Sequence, residues 1–115
     1  MINYDFTGLP ERGTLIRTLI LQAILDAIDG RTYLEIGVDG CENFNAVKAK
    51  RKLGVDVHLD FLSKNPFEKF LQKKKLQLRK ERFFEQASDI FFQTQRSLFE
   101  KYKIDVAFVD GFHTF

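Results

Sequence analysis

Apolar positions follow two rhythms along the chain. Ile16, Ile20, Ala23, Ile24, Ala27 and Ile28 recur at three- and four-residue intervals. That is the spacing of one helix face, so a helix is predicted over residues 15–29, with Thr14 as its N-cap and Gly30 as its left-handed stop. The short run Thr32-Tyr33-Leu34-Glu35-Ile36-Gly37 reads as a first strand. Residues 43–52, with Phe44 and Val47 among Ala and Lys, are predicted helical, and Leu53 to Val57 a second strand that Gly54 weakens. Pro66 suits the first turn of another helix, capped by Ser63 or Asn65 and carrying Phe67, Phe70 and Leu71. Residues 82–86 form a short third strand. Ser88 then caps a helix with Ile90, Phe91, Phe92, Leu98 and Phe99, whose Phe stripe is expected in the core. Ile104 to Asp110 is the clearest strand of all.

Strands alternating with helices at this spacing predict an α/β protein, a Rossmann-like three-layer sandwich around a parallel sheet with right-handed crossovers. A length of 115 residues suffices for one compact domain, residues 1–115.

Composition narrows the function classes. With 44% hydrophobic and 30% charged residues the chain is of globular type, and a formal net charge of +2 is too weak to suggest a nucleic-acid partner. The basic run of Lys73, Lys74, Lys75, Arg79, Lys80 and Arg82 reads as a solvated face. Thirteen Phe without a Trp require burial in a core or an interface. Cys41 is the single cysteine, expected to pack rather than react, which suits a reducing, cytoplasmic setting. No secretory signal is legible, and the apolar stretch around Leu19 to Leu21 is too interrupted to span a membrane.

In open parallel sheets, ligands bind beyond the carboxyl ends of the strands. The first of these loops, Glu35 to Asn43, holds Gly37 and Gly40 but not the full dinucleotide glycine set, and it carries three acids, Glu35, Asp39 and Glu42. A pyrophosphate there would meet like charge. Two such charges ~4 Å apart repel by about 1 kcal/mol in water and by more when partly buried. S-adenosylmethionine, with an ammonium, a sulfonium and no phosphate, suits the loop better than a nicotinamide dinucleotide. Asp56 follows Glu35 by 21 residues, near the spacing of the acid that accepts ribose hydroxyls, with Asp60 as its competitor. The alternatives are a helix-dipole or salt-bridge role for Glu35, a plain tight turn for the glycines and a turn-forming Asp56. At the last strand end, Asp110 and His113 suit proton transfer from a hydroxyl, or two ligands of a divalent metal; otherwise they cap and pack the next turn.

The strings YLEIGVDGCENF, KLGVDV, RFFEQASDIFF and DVAFVDGFHTF together resemble bacterial class I methyltransferases of methyltransferase family 24, over about residues 31–115. The resemblance implies a seven-stranded sheet of order 3-2-1-4-5-7-6, of which this chain holds the 3-2-1-4 part as a truncated domain. It implies that Glu35 and Gly37, with Asp39 and Gly40 in the same loop, form the first cofactor motif, that Asp56 holds the ribose, and that Gln86, Ala87, Ser88 and Asp89 lie beside the adenine. Asp110 then lines the reaction site. Members often have glycine where Cys41 stands. The expected function is methyl transfer from S-adenosylmethionine to a small-molecule acceptor, through a hydroxyl group. The alternative is a catalytically inactive remnant or binding module of the same fold. Self-association through an exposed fourth strand is also expected.

Overall fold

A computed structural model describes residues 12–110. The elements run α1 (Arg12–Ala27), β1 (Thr32–Ile36), α2 (Glu42–Ala46), β2 (Arg51–Asp56), α3 (Pro66–Leu78), β3 (Glu81–Glu85), α4 (Ser88–Thr94), α5 (Arg96–Lys101) and β4 (Val106–Val109). The four strands form one parallel sheet of order β3-β2-β1-β4 with flanking helices, a Rossmann-like α/β arrangement. β3 and β4 are its edges among the described residues. No described helix is long and apolar enough to cross a membrane.

Strand parity divides the side chains between two faces. Register places Tyr33 and Glu35 of β1 beside Lys52 and Gly54 of β2 and beside Val106 and Phe108 of β4. On this face α1 and α2 close a core of Leu21, Leu25, Tyr33, Val38, Phe44 and Val47. The opposite face is uniformly apolar at its centre. Leu34, Ile36, Leu53 and Val55 pack there against Phe91 of α4 and Leu98 of α5.

Gly54 strengthens this sheet rather than weakening it. A Cβ there would stand 2.7 Å from the Phe83 ring and 2.9 Å from Val38 Cγ1. Its absence lets Phe83 lie across β2, where the ring meets Phe44 and Phe61 at centroid distances of 4.7 and 4.6 Å.

Several expectations are corrected. α1 begins at Arg12, so Thr14 is a helical residue and not a cap. Its buried face is Thr18, Leu21 and Leu25, and the predicted isoleucine face points outward, with Ile16, Ile20, Ile24 and Ile28 each 44–55% exposed. The left-handed residue after α1 is Asp29. Gly30 is required for space instead, because a Cβ would fall 2.7 Å from Leu25 Cδ2. The second predicted helix ends at Ala46, and Arg51 and Lys52 belong to β2. The reason is Lys52, whose buried ammonium donates to the Phe44 and Val47 carbonyls at 2.8 and 3.1 Å and so closes the end of α2 from the neighbouring strand. Asn65 is the N-cap of α3, accepting from the Phe67 and Glu68 amides ahead of Pro66. Ser88 is not a cap, since Ala87 holds that position. The helix it was to begin is broken at Gln95 into α4 and α5. Of its Phe stripe only Phe91 is fully buried, and Phe92 is 46% exposed.

Candidate functional site

Parallel strands bring Gly37, Asp56, Gln86 and Asp110 to one edge of the sheet, at the tips of β1, β2, β3 and β4. Backbone bonds fix the alignment. Gly37 N donates to Val55 O (2.7 Å), Gln86 N to Asp56 O (2.9 Å) and Asp110 N to Ile36 O (2.9 Å).

The loop after β1 turns through three left-handed residues, Gly37 (φ 85°), Asp39 (φ 48°) and Cys41 (φ 66°). Gly37 serves this conformation at no steric cost. Gly40 does not need it, and a Cβ there would meet nothing within 4 Å. The position that demands glycine is Cys41, one residue on, which opens α2 without a side-chain cap. Its thiol is buried, and burial first, then the charge of Glu35, pushes its pKa up to about 12. At neutral pH it stays a protonated packing group.

Glu35 points into the protein. Its Oε1 accepts from Tyr33 Oη at 2.6 Å and from Asn43 Nδ2 at 2.7 Å. Asn43 Nδ2 also reaches Tyr33 Oη (3.1 Å), and Thr18 Oγ1 donates to Asn43 Oδ1 at 2.7 Å. The carboxyl is 2% exposed, and burial raises its pKa against the opposing effect of these donors. Burial and the adjacent carboxylate likewise hold the Tyr33 hydroxyl in its protonated form. Glu35 thus joins β1, α1 and α2 beneath the loop, while Asp39 and Gly40 stand exposed above it.

Asp56 does open toward that loop. Its Oδ2 accepts from Asp39 N at 2.9 Å, and its Oδ1 has only the His58 amide at 3.5 Å. At the β3 tip, Ala87 and Ser88 are partly buried and Asp89 is exposed in the first turn of α4. Gln86 Oε1 is buried there without a partner. Glu85 accepts from Leu59 N at 2.9 Å, a bond that holds its carboxyl below the usual range and ties down the loop after β2.

At the β4 tip Asp110 pairs with Arg17 of α1 at 3.3 Å, both side chains partly exposed. Arg17 also lies over the Phe108 ring, 5.9 Å from its centroid. His113 lies outside the described residues, so the proposed pairing with Asp110 is not placed. Among the described residues no three His, Cys, Asp or Glu gather as a metal site.

Sequence reading missed Asn43 and Arg17. Asn43 lies inside the loop already singled out, and its type alone, a neutral amide beside acids, was the available signal. Arg17 meets Asp110 across 93 residues, and nothing local announces that pairing. Comparison of the chain with known family models, with curated proteins and with solved structures finds no match.

Proposed function

We propose that this chain carries the cofactor-binding part of a class I methyltransferase, which moves a methyl group from S-adenosylmethionine to a hydroxyl of a small-molecule acceptor. The observation that carries the reading is the β2 tip. Asp56 stands beside the loop after β1 and keeps one carboxylate oxygen nearly unengaged. Such an oxygen suits vicinal ribose hydroxyls.

Three further observations fit the same ligand. Gly37 lacks the Cβ that would hold a ligand away from the backbone. Asp39, Asp56 and Asp89 stand at the tips outside the ion pairs of the described residues, a negative charge that disfavours a pyrophosphate and favours a cation. Gln86 Oε1 lacks a donor, and the amino group of an adenine is a donor of the kind it needs.

When bound, S-adenosylmethionine supplies an electrophilic methyl group on its sulfonium. The chain's own residues position it and handle the acceptor: Asp56 orients the ribose, the backbone at Gly37, without a Cβ, lines the methionine side, and Asp110 accepts a hydrogen bond from the acceptor hydroxyl. Arg17 holds Asp110 in place, and His113 is the candidate to take the hydroxyl proton. A divalent metal on Asp110 and His113 would do the same task by polarising the hydroxyl.

The second reading, a binding module without a reaction, is favoured by one feature. The Glu35 carboxyl is turned inward, where its Oε1 is engaged by Tyr33 and Asn43. Calorimetry with S-adenosylhomocysteine and with NAD tests both readings. Binding of the former alone, weakened at least tenfold in Asp56→Asn, supports the cofactor site. Binding without methyl transfer to any catechol or sugar acceptor leaves the module. Absence of binding of either ligand by the folded chain refutes the cofactor reading and favours an inactive remnant of the same fold.

A further inference from the structure

The opposite edge of the sheet, where the strands begin, carries a second site of different chemistry. A cavity of about 310 Å³ opens there, lined by Arg51, Gln77, Lys80, Arg82 and Tyr102. Register explains the gathering. Arg82 of β3 lies beside Leu53 of β2, and Arg51 is two residues back on the same face. Tyr102 arrives from the end of α5, and Lys80 from the turn between α3 and β3.

Both guanidinium groups rest on aromatic rings. Arg51 lies 3.8 Å from the Tyr102 centroid, and Arg82 lies 5.1 Å from that of Phe84. Lys101 adds an ammonium 5.3 Å from the same Tyr102 ring. Stacking occupies the flat face of a guanidinium and leaves its N–H edge free, already oriented for a planar or tetrahedral oxyanion.

What singles out the cluster is the absence of counter-charge. None of the lining residues is acidic. Among the described residues, the ion pairs involve Arg17, Lys52, Lys69 and Arg79, and none of Arg51, Lys80 or Arg82. Lys80 also holds a left-handed backbone (φ 58°) at the end of α3, where glycine is the unstrained choice. The carbonyl end of α3 accounts for one cation, not for three. Like charges held together in this way repel, and an anion relieves the repulsion.

We propose that this cavity binds a phosphate-bearing small molecule through Arg51, Lys80 and Arg82. Three cations exceed what a single carboxylate balances, and two guanidinium forks with an ammonium match the several oxygens of a phosphoryl group. The site is independent of the cofactor reading, since it lies at the other edge of the sheet.

The test is a titration of the intact chain with inorganic pyrophosphate at low ionic strength, followed by backbone amide NMR. The expected result is a saturable shift centred on residues 51, 80, 82 and 102. Affinity should fall at least tenfold in Arg82→Gln, an exposed position that leaves the fold intact, and further in the Arg51→Gln/Arg82→Gln pair. Binding of S-adenosylhomocysteine should be unchanged in both variants. The proposal is overturned by non-saturating shifts, by shifts spread over the lysines of α3, by unchanged affinity in Arg82→Gln, or by acetate binding as tightly as pyrophosphate. Binding of single-stranded nucleic acid without binding of pyrophosphate overturns it in favour of an extended polyanion surface.

Discussion

The two edges of this sheet are built from opposite charges and treat them differently. Where the strands end, Asp56 and Glu85 accept the Asp39 and Leu59 amides, so each carboxylate fixes a loop. Where the strands begin, Arg51, Lys80 and Arg82 line a cavity that has no carboxylate in its lining. At that end Asp105 follows the acidic pattern, accepting the Arg31 and Thr32 amides at 2.7 and 3.0 Å. The contrast separates two meanings of a charged residue. An acid bonded to backbone amides holds the fold together, whereas an unpaired cation on an aromatic ring contributes little to the fold and is left free for binding.

The contrast is tested most severely by Lys52, a cation near the basic edge that is buried and engaged, on the Phe44 and Val47 carbonyls and on Glu81 at 3.5 Å. Lys52→Met should cost about 3–5 kcal/mol, because Glu81 is left buried with Arg79 alone, and urea denaturation measures it. A loss below 1 kcal/mol would show that the internal cation is no more structural than the surface ones.

Next in size, Asp56→Ala should destabilise by about 1–3 kcal/mol through the orphaned Asp39 amide. Arg82→Gln, at the other edge, should change stability by no more than about 0.5 kcal/mol. Equal effects in thermal melts would erase the distinction between the edges.

The smallest effect concerns pH. Burial raises the native pKa of Glu35 above its unfolded value, so the native state binds this proton more tightly. Its contribution is complete below the ordinary carboxylate range and is lost as pH rises through the raised native value. Glu35→Gln should flatten that decline. Urea midpoints measured from pH 4 to 8 check this, and parallel curves for variant and wild type would refute it.

Much of the architecture was legible because each strand is a short apolar run between turn signals, and each lies within two residues of its expected bounds. The faces were harder. On α1 the isoleucines outnumber Thr18, Leu21 and Leu25 in hydrophobicity, yet the narrower stripe is buried because Thr18 must reach Asn43 and Leu25 must meet the sheet. Lys52 looked like the polar end of a helix, and no local pattern shows that an ammonium from a strand will close a helix beside it. Period two along β1 did contain the orientation of Glu35, since it shares a face with Tyr33. Its proximity to the glycine loop drew attention instead. The basic cavity was illegible because Arg51, Arg82 and Tyr102 come together only through strand register.

The outward row of Ile16, Ile20, Ile24 and Ile28 has a practical corollary. Environment-sensitive dyes such as ANS will fluoresce on the fully native molecule, so their emission is no index of a molten state. Dye-monitored melting curves will start from a high baseline, and retention on a phenyl column will report exposed apolar side chains of the native molecule rather than misfolding.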